Sequence, residues 1–337
     1  YKMDGKEWRL DGETGWTMRD AKDALEAASG IPAREQRLVV GTQEPQDGAV
    51  LAALAGSAEA ICSLVRRDPE QARWLELVRT AQFPQDVLRA APEELRANRE
   101  VVLAAVRRHG HSLKLASEQL RGDREVVLSA VTQAGAALEY ASVELRADRP
   151  VVLQAVRQYG NALRHASAEL RADLGVAMAA VSAAGDALRF AADSIKADPE
   201  VLVAAVERDV KAMELAPPEL CQDRGVMLKV VKLHGLALKY ASSNLRSDWE
   251  LVLAAIRREG AALRYAGEDL HRDKDFLCQA VRANALVLDY ARELRMDPVV
   301  LCAAAAALGL VDPQDIHPHQ LGTCDMAWQA SRMACAN

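Results

Sequence analysis

The chain has 337 residues, half of them hydrophobic, with a formal net charge of −6 and only 4% aromatic residues. It can bury a real core, which excludes disorder as the default, and its acidic balance supplies no global field to draw in nucleic acid or anionic membrane. Abundant alanine and leucine favour many close helix contacts over a large sheet core. The six cysteines, Cys62, Cys221, Cys278, Cys302, Cys324 and Cys335, form no CxxC pair or compact framework, which points to a reducing compartment. No apolar run approaches the roughly 20 residues of a membrane span, and Leu301–Val311 is too short and alanine-rich. A soluble protein of the cytoplasm or an organelle interior is expected. The chain opens on Tyr1, which leaves room upstream for a start, a removed import segment or part of a domain.

Residues 1–67 read as strand, helix, turn and strand. "KEWRL" at Lys6–Leu10 alternates; "TMRDAKDALEAASG" from Thr17 to Gly30 is helical, with Thr17 as N-cap, Asp20 in a capping-box position and Gly30 as the stop. "IPAREQRLVVG" then supplies a Pro turn and a strand, while "DGAVLAAL" from Asp47 and "AICSLVRR" at Ala60–Arg67 complete a small α+β unit.

The order and spacing of "DGKEWRL", Thr17 with Lys22, "GIP" followed by "QRLVV", and "DGAVL" resemble ubiquitin-like domains. The resemblance implies a β-grasp fold whose first strand is incomplete, and a protein-docking patch at Met3, Val39 and Leu64. The other reading is that this domain caps the end of the next one. There is no terminal Gly-Gly after Arg67, so conjugation as a modifier is not expected.

Residues 68–92 read as a degenerate capping repeat. From Glu93 to residue 311 the chain falls into about nine units of 25 residues, the last one residue short. Asn98, Asp123, Asp148, Asp173, Asp198, Asp223, Asp248, Asp273 and Asp297 each precede an apolar helical run, and read as N-caps. Gly110, Gly135, Gly160, Gly185, Gly235, Gly260 and Gly309 fall twelve residues after a cap, where a helix is expected to stop with positive φ; Val210 and Ala285 break that rule, so their turns are expected to be strained or differently closed. Val102, Ala105 and Val106 share one helix face, with a small-residue column through Ala130, Ala155, Ala180, Ala205, Ala255 and Ala280. Leu113, Ala116 and Leu120 mark a second helical stripe.

Two short helices per unit, each unable to bury its face alone, predict an all-α solenoid of helical hairpins. The wording "ELRxDREVVLAAV…G…AL…AS" resembles the repeat family called domain of unknown function 4116, a resemblance that implies no activity or catalytic residue. Residues 312–337 read as a C-terminal cap with Met326, Trp328 and Met333 as its packing face. His317, His319, Cys324 and Cys335 there match no strong zinc spacing.

Phosphate loops, HExxH and GxSxG are absent from the sequence, and His109, His111, His165, His234 and His271 build no recurring ligand set. One column is basic: Arg96, Arg121, Arg146, Arg171, Lys196, Arg246 and Arg295, with His271 a weaker member and Cys221 an interruption. It could bind an acidic partner or a phosphate backbone, or simply stabilise a helix end beside the cap aspartate. The lack of interleaved aromatics argues against nucleic acid. These readings lead to the expectation of a non-enzymatic scaffold or adaptor that presents an extended surface to a protein partner, with no cofactor, metal or small-molecule substrate. The alternatives are a structural accessory subunit of a large complex and a ubiquitin-pathway adaptor.

Overall fold

The computed structural model describes residues 2–3, 6–7, 15–40, 44–51, 53 and 62–309. They fall into two compact units, Tyr1–Ser142 and Val143–Asn337. Repeated short helices dominate both, and no helix among the described residues is long and apolar enough to cross a membrane.

Among the described residues of the first unit, four short strands, β1 (Lys2–Met3), β2 (Lys6–Glu7), β3 (Gln36–Val40) and β4 (Cys62–Arg66), form a sheet in the order β2-β1-β4-β3. β1 runs antiparallel to β2 and parallel to β4, and β3 pairs antiparallel with β4. Helix α1 (Met18–Ser29) carries Met18, Ala21 and Leu25 at i, i+3, i+7, which bury against Ile31, Leu38 and Leu64. Its ends obey local chemistry. Thr17 and Asp20 close a reciprocal capping box, and Gly30 takes φ 74° while donating to the Glu26 carbonyl.

β4 leads into helix α2 (Pro69–Thr80), capped by the Asp68 carboxylate. Between them lies Arg67, only 7% exposed. Its Nη1 donates to the Gln36 carbonyl at 2.8 Å, and Nη2 donates to Glu44 and Glu100, each at 2.6 Å. Glu100 belongs to the helix Arg99–Arg108, so one buried guanidinium ties the sheet region to the first regular repeat. Removing both carboxylates would strand that charge away from water.

The repeat's physical logic is clearest at residues 98–122. Asn98 accepts from the amides of Glu100 and Val101, and the helix Arg99–Arg108 buries Val101, Val102, Ala105 and Val106. The segment after it corrects the expectation of a second helix. Gly110–Leu115 is a 3-10 turn, Ala116 is extended, and Glu118–Arg121 is a single α-turn. The break has a purpose: the Ser117 amide donates to the Arg96 carbonyl of the preceding repeat, whereas a continuous helix would spend that donor on its own turn. The Ser142 amide likewise donates to Arg121.

The glycine expectation is corrected too. Among the described glycines only Gly30 and Gly309 have positive φ. At Gly110 the constraint is contact: a Cβ would lie 2.4 Å from the Ala130 carbonyl oxygen, one repeat on.

The second unit repeats this grammar. Asp148, Asp173, Asp198, Asp223, Asp248, Asp273 and Asp297 all accept from amides of the helices they precede. At Gly160, Gly185 and Gly235 a Cβ would meet the carbonyls of Ala180, Ala205 and Ala255 at 2.5 Å. Backbone staples join Ser167 to Arg146, Ala192 to Arg171, Ser242 to Cys221 and Gly267 to Arg246.

Three positions depart from the rule together. Val210 replaces the glycine, Val230 stands in the alanine column, and Pro217 has no amide to staple onto Lys196. The turns at Val210 and Ala285 are differently closed rather than strained: Asp209 accepts from the Lys211 amide, and Asn284 from the Leu286 amide. The one-residue deletion near the end places a 3-10 turn, Arg292–Met296, directly after the preceding one, with Arg292 at φ 47°. Met326, Trp328, Met333, His317, His319, Cys324 and Cys335 lie outside the described residues.

Candidate functional site

The basic column sits on the inter-repeat seam. In the first unit Arg96 and Arg121 end the turns Glu93–Arg96 and Glu118–Arg121, and their backbone carbonyls accept the staples from Ser117 and Ser142. In the second unit Arg146, Arg171 and Arg246 hold the same position, and their carbonyls accept from Ser167, Ala192 and Gly267. All five arginines bury Nε without a hydrogen-bond partner, and none of the five forms an ion pair among the described residues. Lys196 differs, because its Nζ pairs with Asp193 at 3.0 Å. Arg295 reaches Asp289 at 3.4 Å. His271 is 4% exposed with neither ring nitrogen partnered; burial, then the nearby Arg292 charge, hold its pKa below the ordinary histidine value, opposed by Glu268.

The cap aspartates pair with a different set of cations. At Arg99, Arg149, Arg224 and Lys274 the basic residue just after one cap reaches forward to the next. Arg99 pairs with Asp123 at 2.8 Å and also with Glu125. In the second unit Arg149 pairs with Asp173 at 3.1 Å, Arg224 with Asp248 at 2.8 Å and Lys274 with Asp297 at 2.6 Å. Hydrogen bonds from Arg149, Arg224 and Lys274 hold the Asp173, Asp248 and Asp297 carboxyls below the usual carboxylate range. These aspartates do two jobs, capping their own helix and bracing the repeat before.

The structure adds a second column that the sequence reading lacks. Tyr140, at the end of the first unit, and His165, Phe190, Tyr240, Tyr265 and Tyr290 in the second, close their 3-10 turns with half-buried rings. Their 25-residue spacing is the signal that marks them. Interleaved aromatics are thus present, which corrects the expectation of their absence, and cations of the same chain lie over several of them. Lys114 is 5.8 Å from the Tyr140 ring centre, Lys239 is 4.4 Å from that of Tyr240, and Arg264 is 6.0 Å from that of Tyr290.

In the sheet region the expected patch does not assemble. Leu64 is 3% exposed and belongs to the core, because alternation along β4 turns Cys62 and Leu64 inward and Ser63 and Val65 outward. Val39 pairs with Ser63 and is half-buried; Val65, at 49%, is the outward apolar residue of β4. Met3 lies in β1, and its side chain is outside the described set. A cleft of about 390 Å³ between α1 and α2 is lined by Lys22, Asp47, Arg67 and Arg79 among others, with Lys22 and Asp47 paired across it. Among the described residues no cluster of three or more His, Cys, Asp or Glu could hold a metal ion.

The family model described as Domain of unknown function (DUF4116) matches this chain five times, at residues 75–121, 123–171, 173–221, 223–271 and 250–295. The matches cover more than half of the chain, and it belongs to that family. The first four each span about two 25-residue repeats and end on the seam positions Arg121, Arg171, Cys221 and His271. No curated protein and no solved structure matches.

Proposed function

We propose that this member of the Domain of unknown function (DUF4116) family is a non-enzymatic scaffold whose repeats present a periodic surface to a protein partner. The observation that carries this reading is a division of labour that recurs along the repeats. Cap aspartates, seam carbonyls and the forward-reaching basic residues are used internally, whereas Arg96, Arg121, Arg146, Arg171 and Arg246 recur at the seam with no ionic partner among the described residues. Cross-linking mass spectrometry on the chain with its captured partners tests it. Partner cross-links recurring at 25-residue intervals support the reading; recovery of no protein partner overturns it. A structural accessory subunit of a large complex would use the same surface within a permanent assembly.

The sheet order, with β1 and β4 parallel at its centre and α1 packed on one face, supports reading the N-terminal region as ubiquitin-like. The Arg67–Glu100 pair favours its role as a cap on the first repeat over that of a free docking head. A ubiquitin-pathway adaptor would rely on Val39. If Val39→Asp leaves partner capture intact, that alternative fails.

A further inference from the structure

We propose that adjacent seam arginines form a two-point clamp for an extended acidic peptide, with Arg146 and Arg171 of the second unit as its best-defined instance. This deepens the scaffold reading and rests on it. Both guanidinium groups bury Nε without a partner and lack an ion pair among the described residues. Their backbones are fixed by seam hydrogen bonds, Ser167 to Arg146 at 2.9 Å and Ala192 to Arg171 at 3.0 Å, so the two cations are held by the scaffold and not by each other. The next two positions along the column lose this property: Lys196 is neutralised by Asp193, and Cys221 carries no charge.

The partner's chemistry is set by the surroundings of the pair. An exposed acid lies two residues ahead of each arginine, Glu144 before Arg146 and Glu169 before Arg171. A polyphosphate strand, anionic at every step, would be repelled at each of them. A peptide can place a carboxylate at each arginine and neutral residues between. Packed helices lie about 8–10 Å apart, and a peptide in the polyproline-II conformation rises about 3.1 Å per residue with three residues per turn, which puts every third side chain on one face about 9 Å from the last. Acids three residues apart, Asp-x-x-Asp, therefore match two successive seams. Arg96 and Arg121 in the first unit offer the same unpaired arrangement.

The test is fluorescence anisotropy of the full chain with three labelled peptides of equal composition, carrying Asp-Asp, Asp-x-x-Asp or two acids six residues apart, and a single-stranded oligodeoxynucleotide of equal charge. The Asp-x-x-Asp peptide is expected to bind tightest, and Arg146→Gln and Arg171→Gln to weaken it about threefold each. Arg146→Lys should retain part of the binding. Circular dichroism melting of each variant, unchanged from the parent, separates the clamp from a folding role. Equal affinity for all three spacings, tighter binding of the oligonucleotide, or indifference to both substitutions would overturn the clamp. Partner cross-links that still recur along the repeats would leave the scaffold reading standing in that case, whereas absence of any partner would remove the scaffold reading itself.

Discussion

Within the second unit, the junctions at Gly160 and Gly185 and the junction at Val210 join the same kind of repeat in different ways. At the first two, a missing Cβ admits an alanine carbonyl of the next helix, and an amide staples each repeat to the one before. At the third, valine replaces glycine, Val230 replaces alanine, Pro217 cannot donate, and Asp209 closes the turn locally. The repeat is therefore stabilised by two separable devices, close backbone approach and a backbone hydrogen bond, and the chain tolerates losing both at one junction. The seam cations change at the same place, from unpaired Arg171 to self-paired Lys196 and neutral Cys221.

The largest effect is expected from a methyl group added where the backbones approach closely. Gly185→Ala puts a Cβ 2.5 Å from the Ala205 carbonyl and is expected to cost about 2 kcal/mol in urea denaturation. Val210→Ala, where no such contact is required, should cost no more than partial loss of a half-buried side chain. Next comes the staple: Ala192→Pro deletes the bond to Arg171 and should cost about 1–2 kcal/mol. Pro217→Ser is expected to raise stability by about 0.5–1 kcal/mol, with a new protected amide at residue 217 in hydrogen exchange. Loss of the cap in Asp173→Ala should cost about 1 kcal/mol and also release Arg149.

The smallest effect is titration. The His271 pKa is lowered in the folded chain, so the native state holds fewer protons; its contribution is complete above the unfolded value of about 6.5 and is lost as pH falls below it. Asp173, Asp248 and Asp297 are also lowered, and their contribution is complete above about pH 4 and lost as pH falls through their folded values. Urea midpoints should therefore decline in two stages on acidification. His271→Leu should flatten only the first, between about pH 7 and 5.

What is legible in the sequence is what a residue does to its own neighbourhood. The nine cap positions stand out because a carboxylate or amide oxygen satisfies amides two or three residues away. Thr17, Asp20 and Gly30 are readable for the same reason. The glycine column is visible, yet its cause is not, because the carbonyl that excludes a Cβ at Gly110 belongs to Ala130. The basic column is visible too, but not the partner of the cap beside it. Asp123 is claimed by Arg99, 24 residues earlier, and only the packed repeats bring them together. Leu64 lies in the core because the simple alternation of β4 outweighs the resemblance to a family patch. Tyr140, Tyr240, Tyr265 and Tyr290 carry a readable 25-residue spacing, but the stronger leucine and alanine stripes of the same turns mask it.

The proposed scaffold engages its partner through the seam arginines, not the helix caps or the sheet region. Affinity capture run in parallel on the full chain and on its Arg96→Gln, Arg121→Gln, Arg146→Gln, Arg171→Gln variant, with matched melting curves, tests it most directly. The account predicts that proteins retained by the parent chain are lost from the variant. Retention of the same proteins at the same abundance by the variant would contradict it.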